Sequence, residues 1–313
     1  MLQERVDVLE MLRCPKSGKS LELVDNYLVA QSSEEDLKYE VIDGYAVLVD
    51  FDNSVLKKED VRSVSSVIER RSYFGILGFV KRLVSPPQVV TAENVEKIMN
   101  LLFKSNDHAQ VLIVGGGSIG QGMQPLYDDP RVALVSFDIY ASPSVQFVAD
   151  GHNIPLPDSK FDLVIVQAVL EHVLEPDKVV AEIHRVLKSE GIVYSETPFL
   201  QQVHEGAYDF TRYTESGHRY LFRKFELIRS GVTAGAGTQL LWTLDFFFRS
   251  LFRSYRVGKI VKLFFFWLHY FDKVIPNSYN IDSANGVYFL GKKQNLAISP
   301  NEIVAHYKGW QQR

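Results

Sequence analysis

A histidine at position 172, another at 204, acidic side chains at 138, 150 and 209, and a run of glycines at 115–120 are the groups here that can bind a cofactor or move a proton. The run Val114-Gly115-Gly116-Gly117-Ser118-Ile119-Gly120 follows an apolar segment, Val111-Leu112-Ile113-Val114. Glycines in that place let a backbone approach a ligand closely at the carboxyl end of a strand. The spacing Gly115-x-Gly117-x-x-Gly120 also fits a dinucleotide fingerprint, so the loop by itself leaves the cofactor class open. Asp138 closes a second apolar segment, Val135-Ser136-Phe137-Asp138, where a carboxylate can accept hydrogen bonds from both hydroxyls of a ribose. His172 lies just past a third segment, and His204 lies in the loop Pro198–Thr214, which concentrates polar, aromatic and ionisable groups. A neutral histidine suits removal of a hydroxyl proton. Asp209 can orient that histidine or bind hydroxyls, Arg212 can pair with Asp209 or meet an acidic group, and Tyr208 offers a substrate surface. The structural alternatives are a packed histidine at 172 and an Asp209–Arg212 pair that only shapes its loop.

These groups need a scaffold, and the hydrophobic pattern supplies one. Val111–Val114, Val132–Phe137 and Phe161–Val166 are continuous apolar runs, as expected of parallel strands covered on both faces. Thr91 is positioned to cap a helix whose Val95, Ile98, Met99 and Leu102 share a face. A second helix between Glu175 and Lys188 has Pro176 and Asp177 in its first turn and Val179, Val180, Ile183, Val186 and Leu187 on one stripe. Gly191–Thr197 reads as the next strand, Thr214–Arg223 as a helix and Phe225–Val232 as a strand. Strands alternating with helices predict an α/β fold: a Rossmann-like, doubly wound sheet with helices on both faces.

The 313 residues exceed the usual ~100–200 of one domain, which predicts a main domain with appendages. With 46% hydrophobic and 23% charged residues the composition is globular, and a net charge of −4 gives no reason to expect nucleic-acid binding. A single cysteine, Cys14, excludes an internal disulfide and a multi-thiolate metal site, so no metal is expected. The cysteine count fits a reducing cytoplasm. The N-terminal MLQERVDVLEML lacks the unbroken apolar segment of a secretory signal. The most apolar stretch, Ile260 to Phe271, is interrupted by Lys262 and His269 and is shorter than the ~20 residues of a spanning helix.

The succession after Asp138 separates the cofactor classes. Ala149-Asp150-Gly151, Ile154-Pro155-Leu156-Pro157, Phe161-Asp162-Leu163-Val164 and Glu171-His172-Val173 together resemble the class I S-adenosylmethionine-dependent methyltransferases of type 11, over about ninety residues from Gln110 to Pro198. The resemblance implies that Gly115 and Gly117 border the methionine part of S-adenosylmethionine and that Asp138 holds its ribose. It also implies that Asp150, followed by Gly151, takes the adenine amine and that Gln167 lies near the sulfonium. Ile113 stands where the family often has an acidic residue, which removes one contact to the cofactor's amino end. The spacing of Pro198, Phe199, His204, Asp209, Arg212 and Thr214 resembles members from bacterial surface-polysaccharide gene clusters. That likeness implies O-methylation of a sugar hydroxyl on a glycan or lipid-linked glycan precursor, with His204 as leading base. An NAD-dependent oxidoreductase or epimerase is the competing enzyme class; it explains the glycine loop and Asp138 but neither Asp150 nor Glu171-His172. A non-catalytic, methyltransferase-like partner protein is the third reading.

The boundaries follow. Residues 1–55, with short strands at Leu21–Val24, Tyr39–Ile42 and Ala46–Val49, read as a small separate unit. Leu9 to Pro15, Leu21 to Leu23 and Tyr39 to Leu48 resemble the zinc-ribbon-like activator domain of some methyltransferases, but Ser17 replaces its second cysteine, which implies a metal-free relic. Residues 56–90 form a basic, aromatic connector, 91–295 the methyltransferase domain and 296–313 a tail. Within the domain, 238–276 is an inserted helical region before Gly286 to Lys293, which resembles the family's final antiparallel strand. The insertion carries Phe246-Phe247-Phe248 and Phe264-Phe265-Phe266-Trp267, and Arg249, Arg253, Arg256, Lys259 and Lys262 would draw a basic stripe if one helix ran through Gly258. Such a surface serves as a lid or lies in a membrane interface, which gives a cytoplasmic protein a peripheral contact through 246–271 at the inner face of the membrane.

Overall fold

The computed structural model describes residues 2–31, 37–61, 89–104 and 106–311. Most of the basic connector, 62–88, therefore lies outside the described residues. Eleven strands form one sheet: β1 (Glu22–Val24), β2 (Tyr27–Ala30), β3 (Leu37–Ile42), β4 (Tyr45–Leu48), β5 (Ala109–Val114), β6 (Val132–Asp138), β7 (Phe147–Ala149), β8 (Phe161–Gln167), β9 (Leu187–Pro198), β10 (Phe225–Ala234) and β11 (Gly286–Lys293). Their order is β1-β2-β3-β4-β7-β6-β5-β8-β9-β11-β10. From β7 to β9 every pairing is parallel, and β11 inserts antiparallel between β9 and β10. This is a Rossmann-like sheet, with the reversal of strand order between β5 and β8.

The apolar runs make the centre of this sheet because both faces are covered. Leu112, Val114, Val135, Phe137, Val164 and Val166 join one core with Val179, Val180, Ile183 and Val186 of the helix Pro176–Val186. Their sequence neighbours Val111, Ile113, Leu134, Leu163 and Ile165 point the other way, onto Val95, Ile98 and Leu102 of the helix Val89–Leu102. That helix begins before Thr91, so Thr91 is no cap. It is fully buried and donates its hydroxyl to Glu196 at 2.6 Å.

The expectation of a separate N-terminal unit meets a continuous sheet. β4 pairs in parallel with β7 (Ala46 with Phe147, Leu48 with Ala149), and Leu12, Cys14, Leu28 and Ala30 are buried in the same core as Val114 and Phe137. The reason lies in β7: it would otherwise be an exposed edge of fully buried residues. The strand Tyr27–Ala30 was not foreseen.

Between β10 and β11 lie helices Ala236–Leu251 and Tyr255–Phe265, a 3-10 segment Phe266–Lys273 and a short helix Asn277–Asp282. The insertion is helical as expected, but no basic stripe forms. The chain breaks at Phe252–Ser254, with Arg253 in the left-handed region, and the second helix folds onto the first. Gly258 allows this, since a Cβ there would collide with Asp245. Arg249 and Lys262 turn inward to the buried Asp245 at 2.8 and 3.9 Å.

Candidate functional site

All the candidate residues gather at the carboxyl ends of β5–β9. The glycine loop leaves β5 with Gly115 at φ +73, and its turn is pinned by Gly115 and Gly116 N–H groups donating to the Phe137 carbonyl. Gly117 N–H donates to Asp138 Oδ2 at 2.7 Å, and Ile139 N–H to Asp138 Oδ1 at 2.7 Å. Burial pushes the Asp138 carboxyl up to about 6 against these hydrogen bonds. Side chains pack closely on the loop: a Cβ at Gly115 would strike Val169, one at Gly117 would strike Tyr140, and one at Gly120 would strike Gln167.

Asp150 ends β7. Its Oδ1 accepts from His152 N–H at 2.9 Å and lies 2.5 Å from His152 Nδ1, while Oδ2 accepts from Ser54 Oγ at 2.5 Å. Burial raises its pKa, but the bonds from His152 and Ser54 outweigh it and hold the carboxyl below its usual range. Gly151 follows, packed against Val179 and Val114. Gln167 ends β8, donating to Glu196 Oε2 at 2.7 Å and to the Gln121 carbonyl at 3.3 Å, and its Oε1 is buried without a partner.

Past β8, Ala168 adopts φ 54 and turns the chain into a 3-10 segment, Leu170–His172. Glu171 is completely buried, and neither carboxylate oxygen has a hydrogen-bond partner. Burial pushes its pKa to about 8. Its backbone carbonyl accepts from Phe210 and Thr211 N–H, which ties the Pro198–Thr214 loop over it. This brings His204 to His172, with ring centroids 4.9 Å apart. Nε2 of His172 and of His204 lie 3.7 and 3.9 Å from Glu171 Oε1. His172 Nδ1 meets the Tyr208 carbonyl at 2.6 Å, and burial lowers the His172 pKa. Asp209 accepts the His204 backbone N–H at 2.9 Å and lies 3.4 Å from His204 Nδ1. Arg212 clamps Asp209 with both terminal nitrogens. Burial alone would raise Asp209, but Arg212 and His204 bring it to about 2. The Tyr208 side chain is exposed, and Arg212 is fixed further by the carbonyls of Gln201 and Thr211.

The structure thus brings together His172, His204, Asp209 and Arg212, and separately Gly115, Gly117, Asp138 and Gln167. Sequence reasoning missed Ser54, Tyr140, Glu196 and the structural use of Glu171. Glu196 carried a visible signal, an acid within the apolar strand Ile192-Val193-Tyr194-Ser195-Glu196. It is buried and accepts from Thr91, Tyr194 and Gln167.

Residues 129–195, from the turn before β6 into β9, match the family model described as a methyltransferase domain. No curated protein matches the sequence significantly. Among solved structures, the chain is similar to the [4+2]-cyclase SpnF at 16% identity, covering 65% of this chain and 80% of that one, with a TM-score of 0.39. It is similar to a Haemonchus contortus phosphoethanolamine N-methyltransferase at 14% identity, covering 70% and 57%, TM-score 0.42. A third is the Burkholderia thailandensis 1,6-didemethyltoxoflavin-N1-methyltransferase at 11% identity, covering 66% and 79%, TM-score 0.39. The sheet order and the family match support an S-adenosylmethionine-dependent methyltransferase in general, with S-adenosylmethionine as the cofactor.

The residues present fit that cofactor. Asp138 accepts the Gly117 and Ile139 N–H groups on its two oxygens, and the lone pairs of a carboxylate leave it capacity for a ribose hydroxyl. The orphaned Gln167 Oε1 beside Gly120 is an acceptor awaiting a donor, and the glycines leave no Cβ in the cradle. When bound, the cofactor supplies an electrophilic methyl group on sulfur.

Proposed function

We propose that the chain is an S-adenosylmethionine-dependent O-methyltransferase acting on a hydroxyl of a sugar in a glycan or lipid-linked glycan precursor. The observation that carries this reading is the oriented histidine past the carboxyl ends of the strands: His204 is held through its backbone and Nδ1 side by Asp209, with Nε2 3.9 Å from Glu171 Oε1. Methyl transfer from sulfur to oxygen needs in-line alignment, exclusion of water and removal of the hydroxyl proton. Asp138 and Gln167 hold the donor side, and Asp150 retains acceptor capacity on Oδ2 for an adenine amine. On the other side His204 Nε2 takes the acceptor proton, while Arg212 fixes Asp209 and Tyr208 lines the entrance. Calorimetry with S-adenosylmethionine, its demethylated product and NAD tests the donor side: binding of NAD alone would overturn the assignment. His204→Ala is expected to leave cofactor affinity unchanged and to slow transfer by about 10²–10⁴-fold, measured with a radiolabelled methyl donor across a panel of glycans.

A peripheral contact with an anionic lipid surface fits the insertion. Phe247, Phe252, Ile260, Phe264, Trp267 and Phe271 are exposed, as are Arg253, Arg256, Lys259 and Lys273. The acids of 236–276, Asp245 and Asp272, are turned inward to Arg249 and to the backbone at Gly235 to Thr238. Exposed aromatic and cationic groups on a segment whose two acids are turned inward suit the headgroup region of such a bilayer. No described helix is long and apolar enough to cross a membrane. Flotation with phosphatidylglycerol vesicles at low salt is the test, with binding expected and lost in Phe264→Glu; absence of flotation would remove the contact.

A further inference from the structure

We infer that Glu171, His172 and His204 form a binding site for a divalent first-row transition ion. One ligand atom from each lies within 4.8 Å of the others, close enough for small rotations of two half-buried rings to converge on a single ion. Three further features point the same way. The Glu171 carboxylate is completely buried, and both oxygens lack any hydrogen-bond donor. Buried carboxyl groups are ordinarily hydrogen-bonded, paired with a cation or bound to a metal. Next, both histidines have their Nδ1 sides occupied from outside the cluster. His172 Nδ1 is bound to the Tyr208 carbonyl at 2.6 Å, and His204 Nδ1 is flanked at 3.4 Å by Asp209 Oδ2 and the Gln202 carbonyl. A proton held on Nδ1 leaves Nε2 with its lone pair, and each Nε2 faces Glu171 Oε1. Carbonyl or carboxylate partners behind imidazole ligands are the usual outer shell of metal-bound histidines. Finally, two nitrogens and one carboxylate oxygen are the ligand set of three-protein-ligand zinc sites, and also suit iron or manganese, leaving a coordination position open.

The expectation of no metal came from the single cysteine, which speaks only to thiolate sites. The Glu171–His172 pair is adjacent in sequence, but His204 is thirty-two positions on, and only the Pro198–Thr214 loop closing on the Glu171 carbonyl completes the set. Occupancy of the site does not depend on the methyltransferase reading; its use in the reaction does. A hydroxyl oxygen entering the open position is polarised by the cation, its O–H bond breaks with both electrons left on oxygen, and the proton passes to solvent water. His204 then serves as ligand through the atom that would otherwise take the proton, so the ion and a free His204 base are alternative states of one site.

The test is direct metal binding by the full chain without methyl donor or acceptor. Chelator-treated protein is titrated with Co²⁺ while visible d–d absorption is followed, then with Zn²⁺ as competitor. One Co²⁺ per chain with a low-coordinate spectrum, displaced by Zn²⁺, is expected. Glu171→Gln, His172→Ala and His204→Ala should each abolish the signal, and Asp209→Asn should weaken binding by about 10–100-fold. His306→Ala, at a histidine paired to Glu215 elsewhere, should leave it unchanged. No stoichiometric absorption in the wild type, or equal binding in His204→Ala, overturns the site. His204 lies on a loop, so its variant decides the matter even if Glu171→Gln fails to fold. S-Adenosylmethionine calorimetry on chelated protein reports the methyltransferase reading separately: the cofactor should bind equally with and without the ion.

Discussion

At the scale of single residues, the donor side turns on Asp138 and Glu196. In the proposed role Asp138 is ionised to accept from ribose hydroxyls as well as from Gly117 and Ile139, and burial has raised its pKa to about 6. S-Adenosylmethionine affinity is therefore expected to weaken as pH falls through about 6, and Asp138→Ala should abolish binding. Calorimetry above and below that pH checks both, and a pH-independent affinity would remove Asp138 from the ribose. Glu196 is the acceptor for three buried donors, Thr91, Tyr194 and Gln167. Glu196→Ala orphans all three at roughly 1–3 kcal/mol each, so a loss of at least about 3 kcal/mol is expected in urea unfolding, along with weaker cofactor binding as Gln167 is freed. The glycines and Asp138 were legible because strand ends are where sequence pattern and ligand chemistry coincide. Ser54 was not, because its partner lies 96 positions away; Glu196 showed as an acid in an apolar strand, but its partner Thr91, 105 positions away, did not.

At the scale of elements, periodicity located the Pro176–Val186 helix within two residues at each end, and the family resemblance located β11 at its observed ends. It failed where a glycine permitted two readings. Gly258 was compatible with one long basic helix, whereas the observed pair of helices uses it for close approach to Asp245. Spacing on a single helix cannot reveal that a partner helix will turn two of its cations inward. The helix Glu215–Leu221, capped by Thr214, inserts His218 into the core against Phe222 and Phe289, with Ser195 Oγ at 3.0 Å from Nε2. Burial lowers the His218 pKa from 6.5 to about 3, so the folded chain keeps it neutral while the unfolded chain protonates it below 6.5. That contribution to stability is complete above 6.5 and declines as pH falls toward 3. His218→Gln is expected to lose less stability than wild type on going from neutral pH to about pH 4. Thermal melts at both pH values check it, and parallel acid losses would contradict a neutral buried imidazole.

At the scale of the whole molecule, the sheet does not stop where the methyltransferase pattern stops. Removing residues 1–49 would expose the β7 edge and the core face now covered by Leu12, Cys14, Leu28 and Ala30. A chain starting at Asp50 is expected to be aggregation-prone and to melt at a lower temperature than the full chain, by light scattering and calorimetry. Equal melting temperatures would show the N-terminal strands to be dispensable. The sequence made three of these strands visible, all but Tyr27–Ala30, but not their docking, since β-strand pattern reports which face is apolar and not which edge finds a partner.

The parallel pairing of β4 with β7 has a stoichiometric consequence. Because both strands belong to one chain, their association is unimolecular, and its effective concentration is fixed by the connecting residues instead of by how much of a second protein the cell makes. Dilution cannot undo it and a competing subunit meets it at a standing disadvantage, so every copy of this chain emerges with the β7 edge already occupied.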